Sequence, residues 1–364
     1  MTIGYEPIRV MIVDDSSVVR RAVTDALSSD PGISVVGTAS NGKIALQRII
    51  QWNPEVLILD LEMPESDGFE LLRALRADFP NIRTIMFSSA TQKGASQTIE
   101  ALSLGASDYV AKPTGTHPGG YAEAVKQVAA ELAPKVKQFR PPQPGMKVFQ
   151  KQGRPIEELT VERALRMVNQ SFGVVAIGIS TGGPAALSKL IPELSKTFSL
   201  PIVIVQHMPP VFTRMLAERL DQGGGIRVVE GADGMALEPG VAYIAPGNYH
   251  MVVRQKEGKV VLAMNQEPPV NYCRPSADVL FRSVAEVYGA EALGIIMTGM
   301  GQDGLNGIRA MKTKGAVIFA QDQASSVVWG MPSFVVREGL ADCVLPLGQM
   351  RAAIEGCVQK GVRR

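Results

Sequence analysis

Cysteine is scarce in this chain: Cys273, Cys343 and Cys357 are the only three in 364 residues. That excludes a disulfide scaffold. None of them lies in a C-x-x-C pair or a local Cys/His cluster, so no structural zinc site is expected. Histidine is equally rare, at three residues, which narrows the search for a catalytic base. An excess of one charge is also missing. Lys and Arg number 37 and Asp and Glu 35, a formal charge of +2 that makes no global case for nucleic-acid or membrane-surface binding. Apolar stretches such as Val174–Ile177 fall far short of the ~18 residues that span a bilayer. The N-terminus carries neither a basic n-region nor an apolar h-region, so a soluble cytoplasmic protein is expected.

What the chain does have is length enough for two domains and a linker. The near-neutral total hides a split. Residues 1–134 carry 11 basic and 16 acidic side chains, residues 135–156 carry six basic and none acidic, and residues 157–364 carry 20 and 19. The middle piece holds Pro141, Pro142, Pro144 and Pro155 with Gly145 and Gly153 and shows no period, so it reads as an extended linker. Its charge suits an acidic partner, the acidic first domain or solvent. A helix is expected over Glu157–Gln170. The boundaries expected are therefore a first domain at 1–134, a linker and helix at 135–166, and a second domain at 167–364.

Both domains alternate continuous apolar runs with helical patterns, which predicts parallel α/β sheets covered on both faces. In the first, Ile8–Val13, Val56–Leu59, Thr84–Phe87 and Tyr109–Val110 read as strands. In the second, Val174–Ile179, Pro201–Val205, Val241–Ile244, Gly294–Met297 and Val317–Ala320 do. Functional groups in such folds gather just beyond the C-terminal strand ends. In the first domain those positions hold Asp14 and Asp15, then Asp60, then Ser88, then Lys112. Three carboxylates in a small space repel one another unless a cation intervenes, and a hard divalent ion such as Mg²⁺ or Mn²⁺ suits oxygen ligands. With Lys112 as a second positive charge and the Ser88 hydroxyl, the set suits phosphoryl transfer onto Asp60.

The motifs IVDDS, ILDLEMPESDGFELL, FSSA and GASDYVAKP over residues 7–130 closely resemble the receiver domain of bacterial response regulators. The resemblance implies a flavodoxin-like sheet of order 2-1-3-4-5 and a phosphoacceptor at Asp60. It implies Mg²⁺ held by Asp15, Asp60 and the Glu62 carbonyl, with Asp14 acting through water. It also implies phosphoryl sensing by Ser88 and Lys112, with Tyr109 as an aromatic switch.

The second domain opens with VVAIGISTGGPAALSKL, a strand, a tight turn and a helix. Gly178-Ile179-Ser180-Thr181-Gly182 fits the G-x-S-x-G nucleophile elbow, in which glycines permit a strained turn and a serine projects at a helix start. A structural turn or a phosphate cradle would also use glycines there, but G-x-G-x-x-G and a following lysine are absent. A serine nucleophile needs a base. His207 follows the next strand, as VIVQHMPP, and is the first choice. His250 is the reserve, and His117 lies outside this domain. An orienting carboxylate is expected at Asp303, after the strand Gly294–Met297, with Asp322 second. Asp303 also reads as an N-cap for the helix Leu305–Met311. The order Ser, His, Asp differs from that of α/β-hydrolases.

GISTGGP, VQHMPP, APGNYH, PPVNYCRPSADVLFRSVA and MTGMGQDGLNG together resemble the catalytic domain of the chemotaxis protein-glutamate methylesterases, over most of residues 172–350. The resemblance implies a parallel-sheet α/β esterase with Ser180 as nucleophile, His207 as base, Asp303 as orienting acid and the Met300 N–H in the oxyanion hole. No cofactor is implied for ester hydrolysis. It implies glutamate γ-methyl esters on cytoplasmic chemoreceptor helices as substrate, deamidation of receptor glutamines as a second activity, and a chemotaxis histidine kinase as phosphodonor. Direct membrane insertion and nucleic-acid binding are not expected. Cys273, where His is expected in some members, is expected to stand clear of the triad. The unphosphorylated receiver is expected to limit access to the cleft. Two other classes are a regulator whose output domain binds without catalysis and a DNA-binding regulator. An intact Ser180, His207 and Asp303 speaks against the first. A near-neutral α/β output piece without a helix-turn-helix pattern speaks against the second.

Overall fold

A computed structural model describes residues 6–63, 68–89, 91–112, 120–140 and 170–362. The chain divides into two compact units at Pro144/Gly145. In the N-terminal unit, β1 (Ile8–Val13), β2 (Ile33–Ala39), β3 (Val56–Leu59), β4 (Arg83–Ser88) and β5 (Asp108–Ala111) alternate with α1 (Ser17–Ser28), α2 (Gly42–Trp52), α3 (Gly68–Asp78), α4 (Gln92–Ser103) and α5 (Gly120–Lys137). The strands form one parallel sheet in the order β2-β1-β3-β4-β5, the order that the receiver resemblance implies. β3 is buried at every position, as a strand covered by helices on both faces must be. Edge strand β2 is half-exposed through its middle, and the sequence pattern assigns no residues to it. Ser16, Asn41 and Thr91 start α1, α2 and α4, each side chain accepting a backbone N–H of the first turn.

α5 runs three residues past the expected boundary at 134. Its basic end belongs to this unit: Lys135 Nζ lies 2.8 Å from Asp108, Lys137 Nζ 2.6 Å from Asp30, and Arg140 donates to the Gly32 carbonyl at 3.3 Å. The linker beyond Arg140, His117, and the helix expected at Glu157–Gln170, except for Gln170, lie outside the described residues.

The C-terminal unit is built on a seven-stranded parallel sheet, and its strands and helices follow in this chain order: β6 (Val174–Ile179), α6 (Gly183–Leu190), β7 (Ile202–Gln206), α7 (Phe212–Gln222), β8 (Arg227–Glu230), β9 (Val241–Ile244), β10 (His250–Lys256), β11 (Lys259–Asn265), α8 (Ala277–Tyr288), β12 (Ala292–Ile296), α9 (Leu305–Thr313), β13 (Val317–Gln321), α10 (Met331–Arg337), β14 (Cys343–Leu345) and α11 (Leu347–Val362). The sheet order is β14-β13-β12-β6-β7-β9-β8, and β10 and β11 pair separately as an antiparallel ribbon. β6 is buried throughout, at the centre of the sheet. The chain leaves β6 toward β7 on one side and returns to β12 on the other. This reversal opens a crevice at the strand C-termini, where open α/β sheets place ligands. Ser180, His207 and the Thr298–Asp303 turn all follow strands that flank it.

Glycines let the backbone close there. Gly182 adopts φ +78 to begin α6, and a Cβ on Gly183 would lie 1.8 Å from Gln206 Oε1. Gln206 is buried and donates to the Ser180 carbonyl at 3.0 Å, so it has little room to yield. Gly183→Ala is therefore expected to destabilise the protein by ~1–3 kcal/mol through overpacking. Thermal unfolding checks it, and an unchanged Tm would contradict the packing described.

Candidate active site and phosphoacceptor pocket

In the N-terminal unit the parallel register brings the ends of β1 and β3 together, since Val13 pairs with Leu59. The residues that follow, Asp14, Asp15 and Asp60, offer carboxylate oxygens within 4.8 Å of one another. Asp14 and Asp60 are buried and Asp15 is exposed. Lys112 reaches over from the end of β5, its Nζ 3.0 Å from Asp14 Oδ2 and 2.7 Å from Asp60 Oδ2. Burial holds the Asp14 carboxyl above its usual range and Asp60 adds to this, against the opposing pull of Lys112. Burial works to lower the Lys112 ammonium, but Asp60 and Asp14 together outweigh it and raise it. One lysine against three carboxylates leaves the pocket net negative. The Glu62 N–H donates to Asp60 Oδ1 at 3.1 Å, which places Glu62 in the loop beside that carboxylate.

Ser88 is at the expected strand end, but its hydroxyl is turned toward α4. It donates to the Gly94 carbonyl at 3.1 Å and accepts from Thr98 Oγ1 at 2.7 Å. Tyr109 is buried on β5, with Lys135 Nζ 5.3 Å from its ring centre, and burial raises its phenol well above the usual range.

In the C-terminal unit Ile179 pairs with Gln206, so Ser180 and His207 emerge side by side from adjacent strands. The Ser180 N–H donates to the Thr298 carbonyl at 2.9 Å. Gly299 packs against Ser180, because a Cβ there would lie 2.8 Å from Ser180 Cβ. His207 Nε2 lies 2.7 Å from Asp303 Oδ2. That contact uses Nε2 and leaves Nδ1 as the nitrogen able to accept a proton from a nucleophile.

Asp303 is fixed by far more than the histidine. Its Oδ2 accepts the Ala277 N–H at 2.6 Å, and its Oδ1 accepts from Ser276 Oγ at 2.7 Å, Asn271 Nδ2 at 3.0 Å and the Asp278 N–H at 3.3 Å. The donors from 276–278 are the start of α8, where unpaired N–H groups and the helix dipole favour an anion. The expected N-cap role before α9 is thus corrected: Gly304 stands at that position with no side-chain bond, and Asp303 caps α8 from across the fold. Burial works to raise Asp303, but the hydrogen bonds from His207, Ser276 and Asn271 prevail and lower it to about 2. Burial likewise opposes the charge on His207, yet the Asp303 hydrogen bond, the Cys273 contact and the Asp303 charge together prevail and raise it.

Both reserve candidates stand elsewhere. His250 is fully buried on β10, its Nε2 3.2 Å from the Pro268 carbonyl. Asp322 accepts from the Ser325 N–H and hydroxyl and so organises its own loop. Met300 is exposed in the turn after β12, and among the described residues its N–H has no acceptor. The expectation for Cys273 is overturned. Its Sγ lies 3.6 Å from His207 Nδ1, which makes a Cys/His/Asp cluster in space where the sequence shows none. Asn271 and Ser276 were also missed by sequence reasoning. They lie in PPVNYCRPSADVLF, but nothing local ties them to a carboxylate 32 and 27 residues away.

Comparison with known proteins shows the family of the two units. Residues 10–118 match the model of the response regulator receiver domain, and residues 175–354 match that of the CheB methylesterase. A protein-glutamate methylesterase/protein-glutamine glutaminase of Trichodesmium erythraeum is 44% identical over 355 residues, 95% of this chain and 97% of the relative. The chain belongs to this methylesterase/glutaminase family. A Thermotoga maritima relative of the same name is 40% identical over 93% of this chain and 95% of its own. The crystal structure of the Thermotoga maritima CheB methylesterase catalytic domain matches 52% of this chain and 98% of its own length, with 42% identity and a TM-score of 0.50. The alignments thus cover nearly the whole length of both relatives.

The electrostatics make a prediction about pH. Asp303 raises His207, and burial alone would lower it. Asp303→Asn should therefore move the acid limb of the kcat/KM profile to lower pH, because more acid is then needed to protonate the imidazole. It should also cut kcat by on the order of 10³–10⁴. An acid limb left in place would contradict the Asp303–His207 coupling.

Proposed function

We propose that the chain hydrolyses glutamate γ-methyl esters on the cytoplasmic helices of chemoreceptors, deamidates glutamines there, and is switched by phosphorylation of Asp60. The observation that carries the reading is His207, held by Asp303 on one nitrogen and set beside Ser180 by the register of two central strands.

In this reading Ser180 Oγ attacks the γ-carbonyl carbon and its proton passes to His207 Nδ1. Asp303 stabilises the imidazolium through Nε2–H. The carbonyl oxygen becomes an oxyanion, served by the Met300 N–H, which has no acceptor among the described residues, and by the N–H groups that begin α6. The tetrahedral adduct collapses, and methanol leaves with the proton from His207. Water then adds to the acyl-enzyme with His207 again as base, releasing glutamate and Ser180. A glutamine follows the same path with ammonia as the leaving group. No cofactor enters these steps.

For the receiver pocket, the donor set fits Mg²⁺: hard carboxylate oxygens close together with one lysine against them. Asp14, Asp15, Asp60 and the Glu62 carbonyl would hold it, where it supplies charge neutralisation for the transferring phosphoryl group. Asp60 attacks the phosphodonor, a chemotaxis histidine kinase, and becomes an acyl phosphate. Lys112 then pairs with the phosphoryl oxygens. Ser88 can reach them only by leaving the Gly94 carbonyl and Thr98, and this ties phosphorylation to α4 and to Tyr109 on the neighbouring strand. The enzyme acts in the cytoplasm, and no helix among the described residues is long and apolar enough to cross a membrane.

Methanol release from methylated receptor membranes tests the reading. Ser180→Ala should reduce release to the uncatalysed background. A small phosphodonor with Mg²⁺ should accelerate the native chain, and either Asp60→Asn or chelation of Mg²⁺ should remove the acceleration while sparing basal release. Release that survives Ser180→Ala would overturn the esterase assignment, and stimulation that survives Asp60→Asn would overturn the switch.

A further inference from the structure

Ester hydrolysis gives Cys273 no task, yet its thiol faces the nitrogen on which the reaction depends. His207 Nδ1 and Cys273 Sγ are 3.6 Å apart. A tetrahedral ion bonded to sulfur at ~2.3 Å and to imidazole nitrogen at ~2.05 Å holds those two atoms about 3.6 Å apart. The opposite ring nitrogen is already bound to a carboxylate, with Nε2 2.7 Å from Asp303 Oδ2. That is how metal-ligating histidines are usually fixed in tautomer and orientation. Asn271 links Asp303 to the buried Asp278, so two carboxylates stand behind the pair and favour a cation in front of it. Neither Cys273 nor His207 is fully buried, which leaves solvent access and open coordination positions.

We propose that Cys273 and His207 Nδ1 form a binding site for a borderline-soft divalent cation, zinc by its chemistry, and that occupancy shuts off the esterase. Sulfur and imidazole select Zn²⁺, Cd²⁺ or Co²⁺ over Mg²⁺, so the site is separate in chemistry as well as place from the acidic receiver pocket. On binding, the Cys273 thiol gives its proton to solvent and the thiolate and neutral imidazole become ligands. The ion then occupies the lone pair that must take the Ser180 proton. Inhibition rests on the proposed role of Nδ1 as base, whereas binding does not.

The test uses the reduced full chain in excess Mg²⁺, which fills the receiver pocket. Titration with Co²⁺ is expected to give one ion per chain with a thiolate-to-cobalt charge-transfer band, displaced by one equivalent of Zn²⁺. Cys273→Ser and His207→Gln should each lose the band, whereas Cys343→Ser and Cys357→Ser, at buried positions, should keep it. Methanol release should fall as Zn²⁺ binds, and Cys273→Ser should raise the half-inhibiting Zn²⁺ concentration at least ~10-fold. No band in the native chain, or a band that survives Cys273→Ser, overturns the site. A band that forms while methanol release continues at full rate overturns the inhibition. A native chain that shows the band but never releases methanol fails the esterase reading and leaves the metal site standing.

Discussion

The catalytic unit turns on one carboxylate at the start of one helix. Asp303 is buried, and a buried unpaired carboxylate would be costly. It is held instead by two N–H groups at the start of α8, the Ser276 hydroxyl and the Asn271 amide, and it still offers an oxygen to His207. The helix dipole and these donors keep it ionised, and its charge in turn keeps the imidazole strongly basic and aligned. The rest of the unit serves this alignment. β6 and β7 set Ser180 beside His207, the glycine-rich turn after β12 carries Asp303 back to the crevice, and Gly299 allows that turn to press against Ser180. A histidine and an aspartate from two strand ends thereby meet at one helix N-terminus, with Ser180 at the end of the strand beside the histidine.

The receiver unit solves a related problem by different means. Its carboxylates also converge where a parallel sheet reverses direction, and Asp14 accepts the N–H of Ser16 at the start of α1 at 2.9 Å. Lys112 bridges two of the three, and the remaining negative charge suits a hard cation. Both units place reactive oxygens just past the C-terminal ends of buried parallel strands, because only there do backbone geometry and open space coincide. One pocket fixes its carboxylate with a dense set of hydrogen bonds. The other keeps more carboxylate charge than its one lysine offsets.

Much of this was legible in the chain. Continuous β-branched runs marked the central strands, and Asp14, Asp60, Lys112, Ser180, His207 and Asp303 lie beyond strand ends where the sequence put them. The strands left out of the sequence reading are β2, β8, the β10–β11 ribbon and β14. β2, β8 and β14 lie at sheet edges and the ribbon stands apart from the main sheet, so partial exposure or short length weakens their apolar signal. Helix α5 ran past the expected boundary because its last lysines, which read as linker charge, are fixed by Asp108 and Asp30 on distant segments. Asn271 and Ser276 were invisible for the same reason, since each acts on Asp303 only through the tertiary fold. Cys273 is the clearest case. It stands 66 residues from His207 in sequence, and only the loop before α8 brings its sulfur against the ring.

Because Ser180 and Cys273 both stand near His207, the most direct test of the account is to see which of them forms the covalent bond. The intact chain would be treated with a fluorophosphonate, and the modified residue located by peptide mass mapping. The account predicts one label per chain on Ser180, formed at a rate that falls steeply in His207→Gln and is retained in Cys273→Ser. A label on Cys273, or labelling of Ser180 at an unchanged rate without His207, would contradict it.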